Sequence, residues 1–228
     1  MVGTISALNS EGELLHTIYL GEAPEQGNDE FYTSFKKEWD LIKAGFPNAL
    51  TQGIADGAPS NWKFLDEITD YQILDFYHLS DYIHKAAHLI FGQDPKGKKK
   101  NEKDVFLEYW HHKIKYQSYG VSRLIETLEQ KLPEIKSRTA STSLRSVIKY
   151  LTNQCHRTKY ARELKAKRPI GSGVTEAASK TLIKQRMCGS GMKWSHMGAR
   201  NIIHIRALVL TNGRFEQFWQ KILRYGIN

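Results

Sequence analysis

Two short β-branched runs joined by a polar turn fill the first twenty positions, and then a helical period takes over. Val2–Leu8 (VGTISAL) and Leu14–Leu20 (LLHTIYL) flank Asn9-Ser10-Glu11-Gly12-Glu13, a pattern that predicts a β-hairpin. A polar loop, Glu22–Asn28, follows. Phe31, Phe35, Trp39 and Ile42 then recur at helical spacing, so a helix is expected over Asp29–Lys43, closed by Pro47 and Asn48. Ala49–Ala55 (ALTQGIA) reads as a strand ending on Asp56-Gly57-Ala58-Pro59, and Asn61–Ile68 as a short helix. Tyr71–Leu74 is the next strand and ends on Asp75-Phe76-Tyr77-His78. A longer helix over Leu79–Phe91 turns Tyr82, Ala86, Leu89 and Ile90 inward. The order ββαβαβα predicts an α/β fold with a mixed sheet whose strand ends carry polar residues.

Gln93–Lys103 (QDPKGKKKNEK) is a basic break with Pro and Gly, read as a linker. Helical periodicity fills the next stretch, with helices expected over Val105–Tyr116, Gly120–Leu132 and Ser143–Lys165. Arg168–Trp194 (RPIGSGVTEAASKTLIKQRMCGSGMKW) reads as loop, helix and loop. Gly171-Ser172-Gly173 opens a helix from Val174 to Met187, and Gly189-Ser190-Gly191 ends it. Asn201–Thr211 and Arg214–Tyr225 are closing helices split by Asn212-Gly213. The expected organisation is a first core part over 1–92, an all-α insertion over 93–167 and a second core part over 168–228.

Composition narrows the partners. Lys and Arg total 33 against 24 Asp and Glu, a net charge of +9 that favours a polyanion, nucleic acid first or a membrane surface second. No apolar run reaches the ~20 residues of a membrane span. Met1–Ser10 lacks the basic start and apolar core of a signal peptide. Cys155 and Cys188 have no CxxC or CxxH neighbour, so neither a zinc site nor a disulfide framework is expected, and a cytoplasmic compartment fits.

Against that basic background, a few acids stand out. Glu176 falls in the first turn of its helix, where the dipole favours a carboxylate. Lys180 and Lys184 follow at four-residue steps, and Arg186, Lys193, Trp194 and Arg200 lie close in sequence. That set suits a phosphate-bearing, metal-bound substrate; the plain alternative is a surface helix with i,i+4 ion pairs. Asp56 ends a strand where open α/β sheets bind ligands, and could reach a metal or serve as an Asx-turn. Asp75 and His78 end the neighbouring strand; Asp75 could orient His78 or cap the following helix. Carboxylates holding divalent ions activate a water or a 3′-hydroxyl in phosphoryl transfer. Lys96, Lys98, Lys99 and Lys100 read as a solvated loop, and His111-His112 as structural or surface.

The ordered motifs DGAP with Trp62, DFYH, then GSGVTEAASKTLIKQRMCGSGMKW resemble the DDE transposases of bacterial insertion sequences, closest to the ISKra-like group. The resemblance runs from about Val2 to Trp219 and implies an RNase H-like core with an α-helical insertion before the Glu-bearing helix. It implies Asp56 and Glu176 as second and third acids of the triad, holding magnesium or manganese, with Asp75 and His78 as an accessory pair. Lys180, Lys184, Arg186, Lys193 and Trp194 become the expected DNA contacts. The implied activity is cleavage of transposon-end DNA and strand transfer into a target, by a homo-oligomer on DNA associated with the bacterial nucleoid. The first acid of such a triad belongs on the first core strand, yet neither VGTISAL nor LLHTIYL carries an Asp, and Glu11 and Glu13 lie in the turn. The chain therefore reads as the C-terminal portion of such an enzyme, a truncated copy with an N-terminally incomplete core. The alternatives are a non-catalytic nucleic-acid-binding remnant and a helical DNA- or RNA-binding protein whose acids only cap helices.

Overall fold

The computed structural model of the chain describes residues 1–23, 27–92 and 98–226. The fold is α/β, and among the described residues four strands are hydrogen-bonded in two pairs rather than as one mixed sheet. Strands β1 (Val2–Leu8) and β2 (Leu14–Gly21) form the expected antiparallel hairpin, with Ile5 opposite Ile18. Asn9 closes its turn by accepting from the Glu11 and Glu13 amides. Strands β3 (Gln52–Ala55) and β4 (Tyr71–Leu74) are parallel, with Ala55 opposite Leu74. β3 is shorter than the apolar run Ala49–Ala55. Its start is fixed by Asp70, whose Oδ2 accepts from both the Thr51 amide and the Thr51 hydroxyl at 2.7 Å.

Two compact units result: Met1–Leu50 with Gly173–Asn228, and Thr51–Ser172. The unit limits fall at 50/51 and 172/173, whereas the pattern along the chain suggests breaks near 92 and 167. The strand pair β3–β4 therefore shares a core with the helices that follow it.

In the first unit, helix α1 (Gly27–Gly45) buries Phe31 and Phe35. Glu22, only 2% exposed, receives Arg200 and His204 from α10 (His196–Leu210), each at 3.1 Å. Arg200 also reaches Glu30 at 2.9 Å, so it is a neutralised structural cation and not a free charge beside Glu176. Thr211 is buried; its hydroxyl accepts from the Tyr19 amide and donates to the Ala207 carbonyl, tying the end of α10 to β2. Helix α11 (Arg214–Tyr225) is held to α1 by a two-pronged pairing of Arg214 with Glu38. Gly21 leaves room for this packing, since a Cβ there would lie 2.5 Å from Ile203 Cγ2.

The Glu176 helix is not one uniform α-helix. α8 (Gly173–Ser179) widens into a π-helical segment, Lys180–Lys184, before a last turn, α9 (Gln185–Met187). A π-turn inserts a residue and leaves carbonyls poorly paired. The Arg206 guanidinium supplies the missing donors, reaching the Thr181 and Leu182 carbonyls from α10.

In the second unit, α2 (Pro59–Ile68) connects β3 to β4, and Trp62 packs inward beneath the Arg157 guanidinium, 4.5 Å from the ring. α3 (Phe76–Phe91) starts three residues earlier than its apolar period suggests and buries Phe76, Leu79, Ile83, Ala86 and Ala87. Tyr82, Leu89 and Ile90 are only partly buried, so the inward face is turned from the one expected. α4 (Lys98–Tyr116) begins inside the stretch read as a linker, of which residues 93–97, including Lys96, lie outside the described residues. α5 (Gly120–Lys131) follows as expected. The helix anticipated over Ser143–Lys165 is broken into α6 (Arg138–Gln154), a 3-10 turn over Cys155–Arg157 and α7 (Tyr160–Lys165). The Thr158 hydroxyl donates to the Cys155 carbonyl at 2.7 Å and ends the first segment. The break lets Tyr160 turn fully into the core, where its hydroxyl donates to the Leu74 carbonyl at 2.9 Å.

Glu163 anchors the chain just beyond. It is fully buried, and its two oxygens accept from Arg162 at 2.7 Å and Arg168 at 2.6 Å. Burial pushes its carboxyl up, but the hydrogen bonds and charges of Arg168 and Arg162 outweigh that and hold it below the ordinary carboxylate range. The phenol of Tyr71, flanked by both guanidiniums, is pushed up to about 12 by burial and by Glu163.

Two outcomes follow from this packing. Gly21→Ala lowers stability by roughly 1–3 kcal/mol, the cost of overpacking a filled site, read as a shifted thermal or urea midpoint. Glu163 and Glu38 both have folded carboxyls lowered from 4.5. Their contribution is therefore complete above the ordinary value and is lost as pH falls through the lowered folded values. A urea midpoint that drops as pH falls below about 4.5 is expected, and Glu163→Gln at neutral pH lowers that midpoint by removing the counter-charge of two partly exposed guanidiniums.

Candidate functional site

Parallel pairing sets the first part of the site. Because Ala55 and Leu74 are partners, Asp56 and Asp75 are the next residues of adjacent strands, at their carboxyl ends. The Asp75 amide donates to the Ala55 carbonyl at 2.8 Å, which holds the two ends in register.

The two carboxylates have different surroundings. Asp75 is 1% exposed and caps α3: its Oδ1 accepts from the Tyr77 amide at 2.6 Å and the His78 amide at 3.1 Å. Its Oδ2 accepts from the Ser172 amide at 2.7 Å and from the Ser172 hydroxyl. Both oxygens are thus engaged, and Asp75 is a structural clamp between the α3 N-terminus and the Gly171–Ser172 turn. The capping role weighed for this residue is the one it plays. Asp56 is exposed. Its Oδ1 accepts from the Ala58 amide at 3.2 Å and from Asn61 at 3.1 Å, the Asx-turn geometry that opens α2. Its Oδ2 has no hydrogen bond among the described residues, so one carboxylate oxygen stays open to a ligand.

Aromatic rings surround this strand end. Tyr82 and Tyr150 are stacked, 3.7 Å between centroids and 2° from parallel. His78 meets both edge-on, at 5.6 Å from Tyr82 and 6.1 Å from Tyr150, and its ring nitrogens make no hydrogen bond among the described residues. Burial raises the Tyr150 phenol well above its ordinary value, helped by Tyr82 and by the charges of Asp56 and Asp75. Tyr150 therefore stays a protonated donor at any physiological pH. Neither Tyr82 nor Tyr150 stands out in the sequence as more than core.

In the other unit, Glu176 stands in the first turn of α8. It is exposed and forms no ion pair or hydrogen bond among the described residues, so the i,i+4 pairing with Lys180 that its spacing allows is not made. It lines an open groove with Gly173, Ala177, Lys180, Lys184 and Gln185. Lys180, Lys184, Arg186 and Lys193 are likewise exposed and without an anionic partner among the described residues. Trp194 is 38% exposed, and its indole N–H donates to the Met187 carbonyl at 3.2 Å, folding the GSGMKW loop back on the helix end.

These side chains have hard-ion chemistry. Magnesium takes oxygen ligands and keeps several waters, so the open carboxylates of Asp56 and Glu176 suit it, whereas the saturated Asp75 does not. Among the described residues no three His, Cys, Asp or Glu side chains gather as a ready-made metal cage. No helix among the described residues is long and apolar enough to cross a membrane. Comparison with protein-family models, with curated proteins and with solved structures finds no match to this chain.

Proposed function

We propose that this chain acts in DNA transposition, as the part of a DDE transposase that bears Asp56 and Glu176, with magnesium or manganese as cofactor and DNA as partner. The observation that carries the reading is the contrast between two neighbouring strand-end acids. Asp75 is buried with both oxygens used, while Asp56 is exposed with one oxygen left open. An exposed oxygen without a protein partner is available as a ligand for a hard cation, and a net charge of +9 suits a polyanionic partner. Glu176 repeats that pattern, an unpaired carboxylate among unpaired cations.

In this reading, Asp56 and Glu176 are the residues that would hold the divalent ion, which when bound supplies activation of a water or 3′-hydroxyl and relief of charge on the leaving oxygen. Lys180, Lys184, Arg186 and Lys193 hold strand phosphates, and Trp194 offers a face for a base. Asp75 and His78 are accessory: the first fixes the strand end and the second keeps a free imidazole beside it. The RNase H-like core belongs to the same proposal. A hairpin, a helix and a parallel strand–helix–strand unit in that chain order support it.

A second reading is a non-catalytic DNA-binding chain with the same basic surface. The exposed Lys180, Lys184, Arg186 and Lys193, without anionic partners among the described residues, serve it equally well.

Nicking of supercoiled plasmid DNA with magnesium or manganese separates the two. The first reading expects cleavage by the wild type, reduced at least about a hundredfold in Asp56→Asn and in Glu176→Gln, as loss of several kcal/mol of metal assistance requires. Wild-type inactivity with DNA binding intact would leave the second reading standing. Binding itself should weaken with salt, and Lys180→Ala and Lys184→Ala should each reduce the slope of log K against log salt by about 0.9, one phosphate contact apiece. Unchanged slopes in a fluorescence anisotropy titration would remove these lysines from the interface.

A further inference from the structure

Two side chains of α6 reach the turn that carries Asp56. The Tyr150 hydroxyl donates to the Asp56 carbonyl at 3.0 Å. One helical turn on, Gln154 Nε2 donates to the Gly57 carbonyl at 3.4 Å. Residues 150 and 154 share a helix face, so one rigid element grips two successive carbonyls. Gly57 shows how closely it grips. Its φ is +100°, and a Cβ there would lie 2.5 Å from the Tyr150 hydroxyl. Tyr150 in turn is held in place by its stack on Tyr82 and its edge contact with His78. Gln154 is 8% exposed, and its Oε1 has no hydrogen-bond partner among the described residues, an acceptor left over beside the turn.

We propose that Tyr150 and Gln154 are positioning residues for Asp56, so that a helix distant in sequence forms part of the site. The proposal rests on the reading of Asp56 as a metal-holding carboxylate. A glycine-containing turn left to itself samples many backbone states, and ordering it on binding an ion costs affinity. Holding the Asp56 and Gly57 carbonyls removes those states beforehand. The Asx-turn to Ala58 and Asn61 then fixes Oδ1, and the open Oδ2 is presented in one direction.

The test is manganese binding to the full chain, followed by electron paramagnetic resonance of the free ion, with Tyr150→Phe, Gln154→Leu, Asp56→Asn and the double variant Tyr150→Phe/Asp56→Asn. Tyr150→Phe keeps the ring stack and removes only the donor, so its thermal midpoint should stay close to wild type. The expected result is affinity about tenfold weaker in Tyr150→Phe, in the range known for groups that orient a metal ligand. Gln154→Leu should move the same way. In the Asp56→Asn background, Tyr150→Phe should add nothing. If Asp56→Asn weakens binding but Tyr150→Phe and Gln154→Leu do not, the positioning role is wrong while the metal reading survives. If the Tyr150→Phe loss recurs undiminished in the Asp56→Asn background, the tyrosine acts on something other than Asp56, and the proposal is overturned. If Asp56→Asn binds manganese as the wild type does, the metal reading and the positioning role fall together.

Discussion

The buried carboxylate of Asp75 is the interaction on which the second unit turns. A charge taken out of water is tolerated only when its oxygens are matched by donors. Here the Tyr77 and His78 amides fill one oxygen, and the Ser172 amide and hydroxyl fill the other. The first pair are orphan donors of the α3 N-terminus, which every helix must satisfy somewhere. The second pair belong to the Gly171–Ser172 turn, ninety-seven positions further along. One side chain thus starts α3, ends β4 and fastens the Gly171–Ser172 turn. The Phe76 amide adds a backbone bond to the Ile170 carbonyl at 2.9 Å on the same line.

The pattern along the chain sets the helical stretch after α3 apart as an insertion. In this protein it shares a core with the strands. Tyr160 bonds the carbonyl of Leu74 at the end of β4, and Tyr150 bonds the carbonyl of Asp56 at the end of β3. Both tyrosines therefore donate to carbonyls at, or one residue past, the carboxyl ends of the parallel pair. The break between α6 and α7 makes this possible, because a straight helix could not turn both rings to the same edge.

Charge is sorted in the same way. Glu22, Glu30, Glu38 and Glu163 take up Arg200, Arg214, Arg162 and Arg168, with planar guanidiniums matched to carboxylates. The cations left without anionic partners around Glu176 are mostly lysines, Lys180, Lys184 and Lys193, with Arg186. Net charge alone does not distinguish these groups. Their separation leaves one group of cations without anionic partners among the described residues and a set of arginines that is neutralised.

The hairpin, the short strand Tyr71–Leu74 and the helix starting at Gly120 were legible because local patterns decide them: alternation, a polar turn and a glycine stop act over a few residues. So was the position of Asp56 and Asp75 at strand ends, since both follow apolar runs directly. What the chain alone left open was which acid would be spent. That depended on Ser172, whose contact with the Asp75 carboxylate closes a loop of 97 positions and leaves no periodic trace. The π-turn after Ser179 was equally hidden, because its carbonyls are satisfied by Arg206, a residue of another helix. Short-range propensity set the elements; the long-range matching of buried donors to acceptors decided which side chains remained free.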